Sequence, residues 1–388
     1  MIAGRMSSRL RLGLFYFAVY LGTGANSPYI GLFFAERGLT GAQIGMILAA
    51  PMLARALTGP TVAVWADGFT LRRTPLALLS LAAMLFYAAV AGVHGFWAWL
   101  AIWFCTSTCY AALQPLADVI ALKRARLERF NYGWSRSFGS ISFILANFGC
   151  GALLAFTGPS VVLAWTATAA GLVALSALRL PDDRVHDGGA RLSLIDRWRG
   201  AGALLADRRF MLAIVSCGFV LAGQAFYYGF STLLWRRQGI PEALIGALWA
   251  TGVVIEIVFM WGLGRIARRM GPAMLLGLGA VLALIRWTAY AFSPPLWALW
   301  PLQTLHAGSF AMAWIASLQF VERFAPPHAA SAAQMLNSAI PLGLMIGLAT
   351  LASGPLFDAF GARGYLAMAG LAVVGLCGAV ALARTART

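Results

Sequence analysis

The sequence predicts an all-α membrane protein with twelve transmembrane helices in two pseudo-symmetric six-helix bundles. Composition is the first reason: 61% of the 388 residues are hydrophobic and 11% are charged, with a mean hydropathy of +0.78. A water-soluble globule does not carry that apolar excess. The second reason is length, because twelve apolar stretches each approach the ~20 residues that span a hydrocarbon core. The third is an internal repeat. Gly38-Leu39-Thr40-Gly41-Ala42-Gln43-Ile44-Gly45 recurs as Gly239-Ile240-Pro241-Glu242-Ala243-Leu244-Ile245-Gly246, and the same register places Arg55 on Glu256.

The first stretch, 12 to 34, follows Arg5, Arg9 and Arg11; no small-residue cleavage site interrupts it, so it reads as an uncleaved anchor. Stretches 43 to 65 and 74 to 93 flank Asp67, Arg72 and Arg73, and stretches 96 to 121 and 133 to 157 flank the basic loop from Lys123 to Asn131. Stretch 160 to 180 closes the first half. The second half runs through 210 to 235, 243 to 264, 273 to 292, 296 to 320, 329 to 353 and 364 to 383, with Arg265, Arg268 and Arg269 in its first basic loop. Short connections make successive helices antiparallel neighbours. The expected domains are therefore 1–180, a polar linker at 181–209, and 210–388. Within the linker, Leu192 to Leu205 has helical apolar spacing and is expected to lie on the inner leaflet.

A net charge of +16 would suggest nucleic acid as the partner of a soluble protein, but here the distribution of charge is the informative quantity. With the N-terminus inside, most basic residues fall on the cytoplasmic side, which places both termini there. Arg55, Arg136 and Arg286 are left within the membrane. Cys105, Cys109, Cys150, Cys217 and Cys377 all fall in apolar stretches and read as small packing residues.

Ionisable groups at bilayer depth cost ~2.5 to 3.5 kcal/mol on insertion scales, so they face partners or polar pathways. Arg55 and Glu256, at matching places in the repeat, point to a central transport site. Asp118 and Arg136 are expected at similar depth, either as a structural salt bridge or as a site in which the guanidinium fork binds a carboxylate or hydroxylated solute. Glu256, Arg286 and His306 share the middle third of their stretches, although a lone buried histidine is equally a hydrogen-bonded core residue. Asn26, Asn147, Gln224, Tyr227, Tyr228 and Asn337 add uncharged polar groups, each also readable as an interhelical hydrogen bond. No phosphate-cradling loop, metal-ligand spacing or nucleophile with a placed base is evident. An enzyme, a cofactor and a metal are accordingly not expected.

Asp67 followed by Arg72 and Arg73 resembles the acidic-then-basic signature of the major facilitator superfamily, with Ala63 where its usual glycine would lie. More narrowly, Tyr132-Gly133 to Arg136, Phe138-Gly139-Ser140, Tyr227-Tyr228-Gly229-Phe230-Ser231, Gly252 to Glu256, Arg286-Trp287 and Leu305-His306-Ala307-Gly308-Ser309-Phe310 resemble the bacterial phenylpropionate permease family. That family is related to the lactose-permease-type proton symporters. The resemblance implies substrate-binding roles for Asp118 and Arg136, and matches Glu256, Arg286 and His306 to the acid, arginine and histidine of the symporters' second half. Ser309 stands where those symporters carry a proton-coupling glutamate, so Glu256, with Asp118 next, is the candidate proton carrier.

The expectation is a bacterial inner-membrane permease, a monomer, that takes up a small aromatic acid such as phenylpropionate with protons by alternating access. Asp118, Arg136, Arg286, Arg55, Asn26, Gln224, Tyr227, Tyr228 and Asn337 would bind solute, and Glu256, His306 and Asp118 would couple protons. A sugar or nucleoside symporter, a drug exporter and a non-transporting scaffold or sensor are the competing readings.

Overall fold

The computed structural model describes residues 6–184, 201–262, 269–326 and 329–385. The described residues are helical almost throughout and contain no strand; one isolated bridge joins Leu71 to Arg184. In chain order the first half comprises α1 (Ser8–Glu36), α2 (Gly41–Ala66), α3 (Arg73–Gly92), α4 (Phe96–Ala111), α5 (Leu113–Leu127), α6 (Tyr132–Thr157) and α7 (Ser160–Leu178). The second comprises α8 (Arg208–Ala222), α9 (Gln224–Arg237), α10 (Glu242–Gly262), α11 (Pro272–Ala291), α12 (Leu296–His306) and α13 (Ala313–Phe324), then α14 (Ala330–Asn337), α15 (Ile346–Phe360) and α16 (Tyr365–Thr385). Wide π-helical turns occupy Ala307–Met312 and Ser338–Met345.

Nine helical runs among the described residues are long and apolar enough to cross a membrane, among them Phe96–Leu127, Arg208–Arg237 and the 53-residue Ala332–Arg384. The helices extend past several expected boundaries, because polar side chains at their ends are satisfied locally. Asn131 accepts the Gly133 amide at 2.8 Å to start α6, and Asp207 accepts the Arg209 and Phe210 amides to start α8. The expected stretch 96 to 121 lies in one run, Phe96–Leu127, whose helix is interrupted at Ala112, so Asp118 belongs to its second part, α5.

The chain forms two compact units. One comprises Met1–Leu39, Leu57–Gly189 and Pro241–Ala250; the other comprises Thr40–Ala56, Ala190–Ile240 and Thr251–Thr388. In the first, α1 packs on α6 and α7, and α3 packs on α7. The second repeats those pairings: α8 packs on the π-helical turn after α14 and on α16, and α11 packs on α16. The repeat in sequence is thus a repeat in packing. Two segments are exchanged, and both begin the repeated helices α2 and α10. In the first unit a Cβ at Gly246 would lie 2.5 Å from the Tyr29 hydroxyl, and in the second a Cβ at Gly45 would lie 3.1 Å from the Thr350 carbonyl oxygen. Each glycine permits a close helix approach.

The α2 start carries a complete cap. Thr40 and Gln43 exchange side-chain-to-amide bonds at 3.1 and 3.2 Å, and the Asp358 carboxylate accepts the Gly41 and Ala42 amides, both at 2.8 Å. In the first unit, Asp183 is almost wholly buried between Arg72 at 3.1 Å and Lys123 at 2.6 Å, while Arg72 also reaches Asp67 at 3.7 Å. The acidic-then-basic loop is therefore pinned to the residues that follow α7.

Three expectations are corrected or fall outside the described residues. Cys105 and Cys377 are exposed and only Cys150 and Cys217 are buried, so burial does not explain all five cysteines. Of Leu192 to Leu205 the described part is 201–205. There Ala201 and Leu204 pack against Phe210, Ile214 and Leu336, while Leu205 is exposed. Arg5, Asp187, Asp196, His186, Arg265, Arg268, His328 and Arg387 lie outside the described residues.

Candidate functional site

Among the described residues each unit holds a polar cluster within its apolar helices. In the first unit the cluster is built from three pairs spaced one helical turn apart: Tyr16 and Tyr20 on α1, Gln114 and Asp118 on α5, and Tyr132 and Arg136 on α6. Residues four apart share a helix face, so the three faces meet as two rungs. In one rung Asp118 Oδ1 accepts both the Tyr16 hydroxyl at 2.5 Å and the Tyr132 hydroxyl at 2.8 Å. In the other, the Tyr20 hydroxyl donates to Gln114 Oε1 at 2.5 Å and accepts from Arg136 Nη2.

The Arg136 guanidinium also lies over aromatic faces, 4.1 Å from the Tyr20 ring centroid and 5.7 Å from that of Tyr16. Stacking holds the cation without neutralising it. Gly139, one turn beyond Arg136, makes the slot: a Cβ there would meet Tyr20 Cδ2 at 2.7 Å and Arg136 Nη1 at 2.8 Å. The expected salt bridge between Asp118 and Arg136 is not formed, because phenols occupy both partners. Two hydroxyl donors stabilise the carboxylate without pulling the guanidinium off its rings.

In the second unit Arg286 is fully buried on α11 at the centre of a denser network. Its Nη2 donates to Gln303 Oε1 at 2.8 Å, and its Nη1 reaches Gln224 Oε1 at 3.4 Å, Ser309 Oγ at 3.3 Å and His306 Nδ1 at 2.9 Å. Tyr227 and Trp287 flank the guanidinium, each with its ring centroid 4.6 Å away. Gln303 Nε2 donates onward to the Tyr227 hydroxyl at 2.9 Å, and Tyr290 donates to Gln303 Oε1 at 3.1 Å. Glu256, part-exposed on α10, faces His306 Nε2 at 3.8 Å.

The chemistry of the histidine follows from its neighbour. A guanidinium only donates, so His306 Nδ1 must accept, and the ring proton then sits on Nε2, towards Glu256. A doubly protonated imidazole would set a donor against a donor. His306 thus transmits the position of the buried cation to the carboxylate without itself holding a charge. The wide turn Ala307–Met312 begins right after it and brings Ser309 back onto Arg286. Such turns recur at functional positions.

The structure brings together Glu256, Arg286, His306, Gln224 and Tyr227, and Tyr228 meets the His306 ring edge-on at 6.5 Å. It does not bring Arg55 into either network: that side chain is exposed. Asn337 is buried and donates to Ser317 Oγ at 3.3 Å, apart from Arg286. Asn26 has a buried Oδ1 with no hydrogen-bond partner among the described residues, and Asn147 donates to the Phe143 carbonyl at 2.7 Å. Sequence reasoning missed Tyr16, Tyr20, Gln114 and Tyr132 around the first cluster, and Gln303, Tyr290 and Ser309 around the second. The available signal was spacing: Gln114 and Tyr132 lie four residues before Asp118 and Arg136, Gln303 lies three before His306, and Ser309 three after it.

Residues 9–367 match the MFS_1 like family. The chain is 31% identical to a maltose permease of Geobacillus stearothermophilus, over 97% of this chain and 94% of that protein. It is 27% identical to a probable 3-phenylpropionic acid transporter of Escherichia coli (strain K12), over 90% of this chain and 91% of that protein. Among solved structures, the crystal structure of the nucleoside transporter NupG superposes with a TM-score of 0.84 at 18% identity, covering 97% of this chain and 99% of that one. A point mutant of the same transporter gives 0.87 at 19% identity, covering 97% of this chain and 100% of that one. Identity this low carries the fold alone.

Proposed function

The chain belongs to the MFS_1 like family of membrane transporters, and on that premise we propose that it is a proton-coupled permease for a small organic acid, of the aromatic-acid type, in a bacterial inner membrane. One observation carries the solute class. Arg136 meets the Tyr20 hydroxyl and ring faces rather than Asp118, whose Oδ1 accepts two phenol hydroxyls. A guanidinium presents five donors in a planar fork that suits a carboxylate. A neutral polyol would want acceptors as well as donors, and of the two Asp118 oxygens Oδ1 already serves Tyr16 and Tyr132. The Escherichia coli relative named as a probable 3-phenylpropionic acid transporter supports the same solute class.

Proton coupling is assigned to Glu256. It is the part-exposed carboxylate of the second cluster, and it faces the Nε2 proton of a histidine whose other nitrogen is held by Arg286. In this reading Asp118 and His306 position their neighbours and Glu256 carries the proton, with transport proceeding by alternating access. Arg286, buried and surrounded by side-chain acceptors, organises the second cluster and does not meet solute. Both termini are assigned to the cytoplasm on the distribution of basic loops.

A sugar reading is favoured by one finding, the 31% identity to a maltose permease. Proteoliposomes holding the purified protein separate the two. Under an imposed inward proton gradient, labelled 3-phenylpropionate is expected to accumulate, and labelled maltose and uridine are not. Accumulation of maltose or uridine with 3-phenylpropionate excluded would reject the acid reading.

A further inference from the structure

Arg136 is not the only donor that the first cluster holds ready. The Tyr20 hydroxyl sits between two groups with opposite demands: it accepts from Arg136 Nη2 and spends its own proton on Gln114 Oε1. The ring is seated in the slot left by Gly139, so its hydroxyl stays beside the guanidinium. Gln114 is a neutral acceptor, held one turn from Asp118 on α5. A carboxylate arriving at Arg136 would be an anionic acceptor at the same place, and charge-assisted hydrogen bonds are roughly twice as strong as neutral ones.

We propose that Tyr20 is a specificity-determining ligand for the solute carboxylate, one that exchanges its hydroxyl donor from Gln114 to the incoming anion beside Arg136. Gln114 is the resting partner that keeps the phenol satisfied while the site is empty. The exchange rests on the organic-acid reading above and adds two residues to it. It also explains why a phenol rather than a carboxylate is stacked against Arg136. A carboxylate at position 20 would neutralise the cation permanently, whereas a phenol can hold the guanidinium and then share the anion with it. Neutral analogues gain nothing from the exchange, because trading one neutral acceptor for another returns the same bond.

The two residues are expected to shift affinity in opposite directions. In titrations of the purified full chain with 3-phenylpropionate, Tyr20→Phe removes the donor and should raise Kd by roughly threefold to tenfold, the span of one hydrogen bond. Gln114→Leu removes the competing acceptor and should lower Kd by roughly twofold to fivefold. The double variant should match Tyr20→Phe, since no donor remains to be released. The amide 3-phenylpropanamide should shift by less than about twofold in each variant. If both single variants weaken 3-phenylpropionate alike, Tyr20 and Gln114 are only structural partners and the exchange is overturned. Equal shifts for acid and amide overturn it as well. Failure of the wild-type protein to bind 3-phenylpropionate or any other carboxylate overturns the organic-acid reading, and the exchange with it.

Discussion

Arg286 Nη1 lies 2.9 Å from His306 Nδ1, and that one contact sets the direction of the second polar cluster. The guanidinium fixes which ring nitrogen accepts, so the opposite nitrogen presents its hydrogen to Glu256. A buried arginine is thereby coupled to a part-exposed carboxylate through an uncharged ring. Arg286→Ala would leave His306 Nδ1 and Gln224 Oε1 without the donor they share, while Gln303 Oε1 keeps the Tyr290 hydroxyl and Ser309 Oγ keeps Gln224 Nε2. Stranding buried acceptors costs about 1 to 3 kcal/mol for each group, so a clear fall in the thermal midpoint of the detergent-solubilised protein is expected. Arg286→Lys should recover only part of it, because an ammonium cannot reproduce the fork.

Glu256→Gln tests the proton assignment. The variant keeps the size and hydrogen-bonding reach of the side chain but cannot release a proton. Accumulation of labelled solute against a concentration gradient should fall to the equilibrium ratio, while exchange of labelled for unlabelled solute at equal concentration continues. Accumulation at the wild-type level would move the proton to another group.

Tyr16→Phe and Tyr132→Phe test the rung at Asp118. Both hydroxyls donate to the same Oδ1, so their losses cannot be independent. Groups that share a partner show interaction energies of about 0.5 to 3 kcal/mol in double-mutant cycles. A cycle built from unfolding midpoints should show coupling in that range; strict additivity would mean that the two phenols act separately.

Gly139→Ala probes the Arg136 slot. The added methyl would meet Tyr20 and Arg136 at separations below 3 Å, and forcing a side chain into a filled site costs about 1 to 3 kcal/mol. Solute affinity should drop with only a modest change in the melting midpoint. The same change at Gly59, where nothing lies within 4 Å, should leave both alone.

Asp358→Ala probes the cap on α2. Losing a side-chain acceptor at a helix start costs about 0.5 to 2 kcal/mol. Faster amide hydrogen exchange is expected in the peptide covering Gly41 and Ala42, the two amides that Asp358 accepts. Unchanged protection there would show that Thr40 and Gln43 suffice alone.

The fold was legible because its signals are local. Runs of apolar residues, interrupted by the polar loops at Asp67 to Arg73 and Lys123 to Asn131, mark helices whatever their neighbours. The repeated Gly45 and Gly246 were visible as well, and each proved to be a point of close approach within its unit. The break at Ala112 was not legible, since apolar composition continues across it and only Pro115 hints at a change. Similarly, depth along a span grouped Glu256 with Arg286 and His306, and Asp118 with Arg136, but it could not say that phenols rather than an ion pair would meet the last two. Depth gives one coordinate; a hydrogen bond requires three.

By itself the sequence determined that this is a multi-pass helical membrane protein with a duplicated plan, because burying a backbone in hydrocarbon leaves helices as the way for so apolar a chain to satisfy its own amides and carbonyls. It also determined which charged residues the membrane had to accommodate. Tertiary structure alone decided how each was accommodated. Whether Asp118 meets a guanidinium or two phenols depends on which faces of α1, α5 and α6 turn together, and rotation of a helix about its axis is set by packing against its neighbours, not by the order of its residues.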